Sequence, residues 1–111
     1  MDVLLVSTIY QPVGCNPHRV VLRRHKIKRY GKYEMEYVVH LQIFREDGII
    51  AYSSGLYVTD FDRAVRDFNV REEHISSNLT NPMSCGDLLT YFRECAQKQE
   101  ALMHGSSQEV G

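Results

Sequence analysis

Apolar and polar residues alternate most regularly between Tyr33 and Arg45. Odd-numbered positions from Tyr33 to Ile43 are apolar or aromatic, whereas even-numbered positions carry mainly glutamate, histidine and glutamine, with Val38 and Phe44 as exceptions. A two-residue period of this length predicts a β-strand with one face against a core and the other face largely in water.

Three further segments predict strands. Val3 to Ile9 is apolar and rich in branched residues, so we expect a strand that is buried on both faces. His18 to Arg29 has apolar residues on both faces, which a bulge near Arg23-Arg24 would reconcile, because one extra residue switches the face of everything beyond it. Ile49 to Val58 predicts a fourth strand, interrupted at residues 53–55.

The turn between the second and third strands decides which residues face each other. A two-residue loop at Gly31-Lys32 would mix the two faces, so we favour a three- or five-residue loop centred on Gly31. The resulting pairs are Lys28 with Glu34, Ile27 with Met35 and Lys26 with Glu36. Such cross-strand pairs contribute about 0.2–1 kcal/mol each.

Two helices are expected after the strands. Thr59 is the predicted N-cap of the first helix, and Phe61, Ala64, Val65 and Phe68 form its apolar stripe. Residues 74–83 are polar and predict a loop. Ser84 then caps an amphipathic helix of about five turns, and residues 105–111 predict a disordered tail.

This order of elements predicts an α+β protein of two layers. We expect a mostly antiparallel meander of about four strands, followed by two helices packed on one face of the sheet. The 111 residues suffice for one domain, expected over residues 1–104, and the 43% hydrophobic and 24% charged content argues against disorder.

The remaining composition predicts a cytoplasmic protein without membrane contacts. No apolar run approaches the roughly 20 residues of a membrane span, and the N-terminus lacks the pattern of a signal peptide. Three cysteines make a disulfide framework improbable and favour a reducing compartment.

Charge is distributed unevenly along the chain. The formal net charge is −1, but residues 1–45 carry eight Lys/Arg against three Asp/Glu, and residues 46–111 carry five against eleven. Seven basic residues and no acid lie between His18 and Lys32. Such a segment suggests a polyanion site, a self-complementary interface or a solvated hairpin.

The basic hairpin is therefore the candidate binding site for nucleic acid or an acidic partner. Positive charges follow phosphates, and aromatic rings stack on bases. The candidate residues are Arg19, Arg23, Arg24, Lys26, Lys28, Arg29, Tyr30, Lys32 and Tyr33. The structural alternative is a solvated hairpin whose lysines neutralise Glu34 and Glu36.

Signals for catalysis or metal binding are weak. Cys15 and His18 have a C-x-x-H spacing, but a closed zinc site needs four ligands. Cys85 lies in the first turn of a predicted helix, where a thiol pKa falls, but no histidine is placed beside it. The sequon 78–80 is a common chance match. We expect no cofactor, no metal and no enzymatic activity.

The sequence thus predicts a small non-enzymatic binding protein, either a monomer or a homodimer. The leading hypothesis is contact with the nucleic-acid backbone through the basic hairpin, residues 18–33. The alternative is a protein-binding adaptor or inhibitor, of the kind that phages and mobile elements encode, acting through the same hairpin and its tyrosines.

Overall fold

A computed structural model describes residues 1–53, 55–77 and 80–110, with side chains through Met103 except that of Thr80. The described residues form seven strands and two helices: β1 Asp2–Val6, β2 Ile9–Pro12, β3 His18–Arg29, β4 Lys32–Phe44, β5 Ile50–Tyr52, β6 Leu56–Val58, α1 Phe61–Ser76, β7 Thr80–Met83 and α2 Cys85–Val110. The fold is α+β, as predicted, with more strands than the expected four.

All strand pairs of the sheet are antiparallel. The order is β5-β4-β3-β2-β7, with β1 also paired to β3 and β6 also paired to β4. The predicted fourth strand is thus divided into β5 and β6 around residues 53–55, as expected, and Ser54 lies outside the described residues.

The β3–β4 hairpin has a tighter turn than predicted. The strands pair without interruption from His18 opposite Ile43 to Arg29 opposite Lys32, which leaves the two-residue loop Tyr30-Gly31. Both loop residues have positive φ, 52° for Tyr30 and 77° for Gly31, as a tight hairpin turn requires.

The predicted odd-length loop is therefore wrong, and so are the pairs derived from it. Lys28 lies opposite Tyr33, Ile27 opposite Glu34 and Lys26 opposite Met35. The expected bulge near Arg23-Arg24 is also wrong, because β3 needs none: it is a central strand whose two faces are both covered at its base.

The core lies between the sheet and α1. Val20, Leu22 and Val39 of the central strands are 0% exposed and pack with Ala64 and Phe68 of α1. We call this side of the sheet the helix face. It carries the even-numbered residues of β3 and the odd-numbered residues of β4, and the opposite side, the outer face, carries the others.

Strand β1 is exposed, contrary to the prediction that it is buried on both faces. Val3 is 55% exposed, Leu5 41% and Val6 47%. Because β1 pairs only with β3 among the described strands, it forms an edge, and a shift in register between Val3 and Leu5 interrupts its ladder. An apolar run alone does not distinguish a central strand from an edge strand.

The helices begin close to the predicted positions. Asp60, not Thr59, caps α1, since its carboxylate accepts hydrogen bonds from the backbone N–H groups of Asp62 and Arg63. Helix α1 extends to Ser76 and β7 follows, where a loop was expected over residues 74–83. Ser84 caps α2 as predicted: it and Asp87 each accept a bond from the other's backbone N–H.

Helix α2 packs at one end of the sheet. Phe92 meets Phe44 edge-on at 6.1 Å between ring centroids, and the Tyr91 hydroxyl donates to the Asn16 side chain at 3.3 Å. The helix is assigned as far as Val110, but the side chains from residue 104 onward lie outside the description. The disordered tail thus stays a prediction.

Candidate functional site

The distal part of the hairpin is a two-stranded ribbon. Strand β1 accompanies β3 only as far as Arg24, and β6 accompanies β4 only from Tyr37 onward. Beyond these positions β3 and β4 pair with each other alone, so residues 25–36, here called the ribbon, extend from the sheet by about 16 Å for five residue pairs. The ribbon contains six of the nine predicted site residues and the His25 imidazole.

The helix face of the ribbon carries two lysines around one tyrosine. The Lys26 and Lys28 ammonium groups lie 5.6 and 5.7 Å from the centre of the Tyr33 ring. Tyr33 is 68% exposed. Within the described part of the chain, no carboxylate lies within 4 Å of either lysine. The positive charge on this face is therefore not neutralised by a direct ion pair.

The outer face of the ribbon neutralises most of its own charge. Arg29 lies 4.0 Å from a Glu34 carboxylate oxygen and 3.7 Å from a Glu36 oxygen. The His25 Nε2 atom is 2.7 Å from the other oxygen of Glu36. Two acids thus share this face with Arg29, Lys32 and His25, whereas the helix face of the ribbon has no acid at all.

The tip presents an almost fully exposed aromatic ring. Tyr30 is 97% exposed and is the non-glycine residue with positive φ among those described. Its ring has no aromatic or cationic partner there. A tyrosine on a projecting turn, in a conformation that favours glycine or asparagine, presents apolar surface to a partner or to water.

Arg24 continues the basic helix face toward the body of the protein. Its guanidinium lies 3.1 Å from the Asp2 carboxylate, and both groups are exposed. Arg24 also lines a cavity of about 370 Å³ with Leu4, Leu5, Tyr37 and Phe61. The charge of Arg24 is thus partly compensated, unlike that of the two lysines.

Arg19 and Arg23 lie apart from the ribbon, on the outer face at the base of the hairpin. Arg19 Nε donates to the Gln42 side chain at 2.6 Å, and Gln42 Nε2 donates to the Tyr52 hydroxyl at 3.1 Å. Arg23 donates to the same hydroxyl and lies 4.4 Å above the Tyr52 ring. Both arginines are half-buried and fixed in this network.

The same network shifts two ionisation equilibria. Burial would raise the pKa of Tyr52, but hydrogen bonds from Gln42 and Arg23 and the charge of the arginines lower it below its ordinary value. His40 stacks on Tyr52 at 4.7 Å, and burial, followed by the charges of Arg23 and Arg71, lowers its pKa. His40 is therefore a neutral ring at pH 7.

The structure divides the nine predicted residues into four groups. Lys26, Lys28 and Tyr33 come together on the helix face, with Arg24 beside them. Arg29 and Lys32 lie on the outer face of the ribbon, and Tyr30 is at the tip. Arg19 and Arg23 belong to a separate cluster with Gln42, His40 and Tyr52, which the sequence analysis did not identify because it depends on the pairing of Gln42 with Tyr52 across strands.

The three cysteines lie outside the ribbon, Cys15 in the loop before β3 and Cys85 and Cys95 in α2. The described residues contain no cluster of three or more metal-ligating side chains. His18 Nδ1 is 3.0 Å from the Asn16 carbonyl oxygen. Cys15 and Cys95 line a cavity of about 420 Å³ near Tyr91, where burial, followed by a hydrogen bond with Cys95, raises the pKa of Tyr91 to about 12.

Comparisons with known proteins identified no relative of this chain: no family model, curated protein or solved structure matches it. In the described part of the chain, no helix has both the length and the apolar character needed to cross a membrane.

Proposed function

We propose that this protein binds the backbone of nucleic acid through the helix face of the ribbon. The observation that carries the proposal is the position of Lys26 and Lys28 over Tyr33, without a carboxylate within 4 Å among the described residues. Uncompensated ammonium groups on a projecting surface attract phosphates and release the counterions condensed on them.

The shape of the site favours a polyanion over a small ligand. The ribbon is a convex two-stranded projection, whereas sites for small molecules are concave and enclosed. A two-stranded ribbon fits the major groove of a duplex, and the exposed rings of Tyr30 and Tyr33 can stack on unpaired bases. Phosphate contact by the two lysines is common to both modes.

The two glutamates of the hairpin make the helix face the more favourable side for a phosphate backbone. Glu34 and Glu36 lie on the outer face, so a phosphate chain on that face would meet two carboxylates beside Arg29. On the helix face it would meet Lys26, Lys28 and, farther along, Arg24. We therefore assign phosphate contact to the helix face and exclude Arg19 and Arg23 from it.

A fluorescence anisotropy titration tests the proposal. Mixed-sequence duplex and single-stranded oligonucleotides are titrated with the protein at about 50 and 200 mM salt; neutralising two phosphates predicts an affinity about tenfold weaker at the higher salt. Lys26→Ala/Lys28→Ala should lose most of the binding on every sequence. Arg93→Ala/Lys98→Ala removes the same charge from α2 and should bind like the wild type.

Two results would overturn the proposal. Absence of binding to both oligonucleotides at 50 mM salt would leave the hairpin as a surface for an acidic protein partner. Equal losses in the ribbon variant and the α2 variant would mean that overall charge, and not the helix face, determines the affinity.

A further inference from the structure

Strand β1 combines an apolar sequence with an unpaired backbone edge. Val3, Leu5 and Val6 are each more than 40% exposed, and β3 is the strand that pairs with β1 in the described part of the chain. An exposed apolar edge strand is a template for pairing with another strand, and many proteins protect such edges with charges, prolines or interruptions.

The other edges of this sheet carry that protection. Strand β7 contains Pro82, which has no N–H to donate, and the edge formed by β5 and β6 is interrupted between Tyr52 and Leu56. Strand β1 has no proline and no lysine, although its ladder to β3 contains a register shift between Val3 and Leu5. Its one charged residue, Asp2, already pairs with Arg24 of the same chain at 3.1 Å.

The outer edge of β1 has backbone groups available for a new ladder. The Ser7 N–H donates to the Val20 carbonyl at 2.9 Å, so the backbone of Ser7 faces β3. Because successive residues of a strand alternate in direction, the N–H and C=O of Val6 point away from β3. A strand on this side could therefore pair without displacing the bonds to β3.

We propose that β1 pairs antiparallel with β1 of a second copy of this chain. About a twofold axis near Leu4, Leu4 lies opposite Leu4 and Val3 opposite Leu5 of the second copy, whereas Val6 lies opposite Asp2, whose charge is neutralised within its own chain. The cavity lined by Leu4, Leu5, Tyr37 and Phe61 lies beside this edge on the helix face and offers apolar surface to the second copy.

The size of this contact sets the expected affinity. A five-residue strand spans only about 16 Å, so the interface falls at the small end of specific interfaces, which typically bury about 800 Å² per partner. The dimer should accordingly be weak, with a dissociation constant in the range of roughly 1–100 μM.

Sedimentation equilibrium of the full chain without nucleic acid, from about 1 to 500 μM, tests this interface. The wild type should change from monomer to dimer over that range. Val3→Lys, which places a charge opposite Leu5 of the second copy, should weaken the dimer at least tenfold, whereas Val70→Lys, the same substitution at an exposed position of α1, should dimerise like the wild type. Thermal unfolding checks that both variants are folded.

A second variant separates strand pairing from general apolar association. Val6→Pro keeps an apolar side chain but removes the outward N–H, so it should also weaken the dimer. A wild type that stays monomeric up to 500 μM would overturn the proposal, and so would a dimer that both Val3→Lys and Val6→Pro leave unchanged. Neither result depends on nucleic-acid binding, so the two proposals can fail separately.

Discussion

The two faces of the ribbon share one backbone but differ in whether their basic side chains are paired with acids. On the outer face, Glu34 and Glu36 lie among basic groups and pair with Arg29 and His25. On the helix face, Lys26 and Lys28 share a tyrosine ring and have no acid beside them in the described structure. A basic segment of sequence can thus become one neutralised surface and one cationic surface.

The register of the hairpin produces this difference. In the register expected from sequence, Lys28 and Lys26 would lie opposite Glu34 and Glu36, and the lysines would be neutralised. The observed two-residue turn moves the pairing by one position, so the lysines and the glutamates lie on opposite faces. The function proposed here therefore depends on the conformation of Tyr30 and Gly31.

The largest expected effect concerns the two ends of the helix face. Leu22 is 0% exposed in the core, and Leu22→Ala should lower the free energy of unfolding by about 2–5 kcal/mol because it leaves a cavity. Met35 lies on the same face but in the ribbon and is 37% exposed, so Met35→Ala should cost less than about 1 kcal/mol. Urea unfolding measures both. Similar losses would show that the ribbon is packed and not projecting.

The next largest effect concerns the turn that separates the faces. Gly31 has a φ of 77°, so Gly31→Ala should lower the free energy of unfolding by about 1–2 kcal/mol. Tyr30→Asn should raise it by up to about 1 kcal/mol, since asparagine tolerates this turn better. Gly86→Ala is the control: this helical glycine has no positive φ and room for a methyl group, so alanine should not destabilise it. A neutral Gly31→Ala variant would contradict the observed turn.

The smallest effect concerns the outer face at the base of the hairpin. The pKa of His40 is lowered from 6.5, so the unfolded chain binds the proton more readily than the folded one. Stability should therefore fall as the pH falls below about 6.5. His40→Phe keeps the ring and should reduce this dependence, whereas His74→Phe, at an exposed position, should retain it. Urea unfolding between pH 5 and 8 measures this dependence. If the free energy of unfolding of His40→Phe fell with pH as steeply as that of the wild type, His40 would not be its cause.

Local sequence patterns predicted where strands and helices lie better than they predicted which residues surround them. The alternation from Tyr33 onward identified β4 and its two faces, the limits of β3 were predicted as observed, and the Ser84 cap was found from its spacing to Asp87. These features depend on neighbours within a few residues, for which period and capping chemistry are sufficient.

Features that depend on distant residues could not be predicted in this way. The loop was predicted at least one residue too long because Tyr30, a bulky residue, occupies a conformation usually taken by glycine or asparagine. Strand β1 was expected in the interior because its residues are apolar, but its place at an edge depends on which strands pair. The contact between Gln42 and Tyr52 likewise depends on the position of β5.

Lysine footprinting with a bound oligonucleotide tests the central claim most directly. The chain has four lysines, all exposed: Lys26 and Lys28 on the helix face, Lys32 on the outer face and Lys98 on α2. Acetylation of the free protein and of the complex is compared by peptide mass spectrometry. The account predicts that the oligonucleotide slows the acetylation of Lys26 and Lys28 severalfold and leaves Lys32 and Lys98 unchanged. Protection of Lys32 without protection of Lys26 and Lys28 would contradict it.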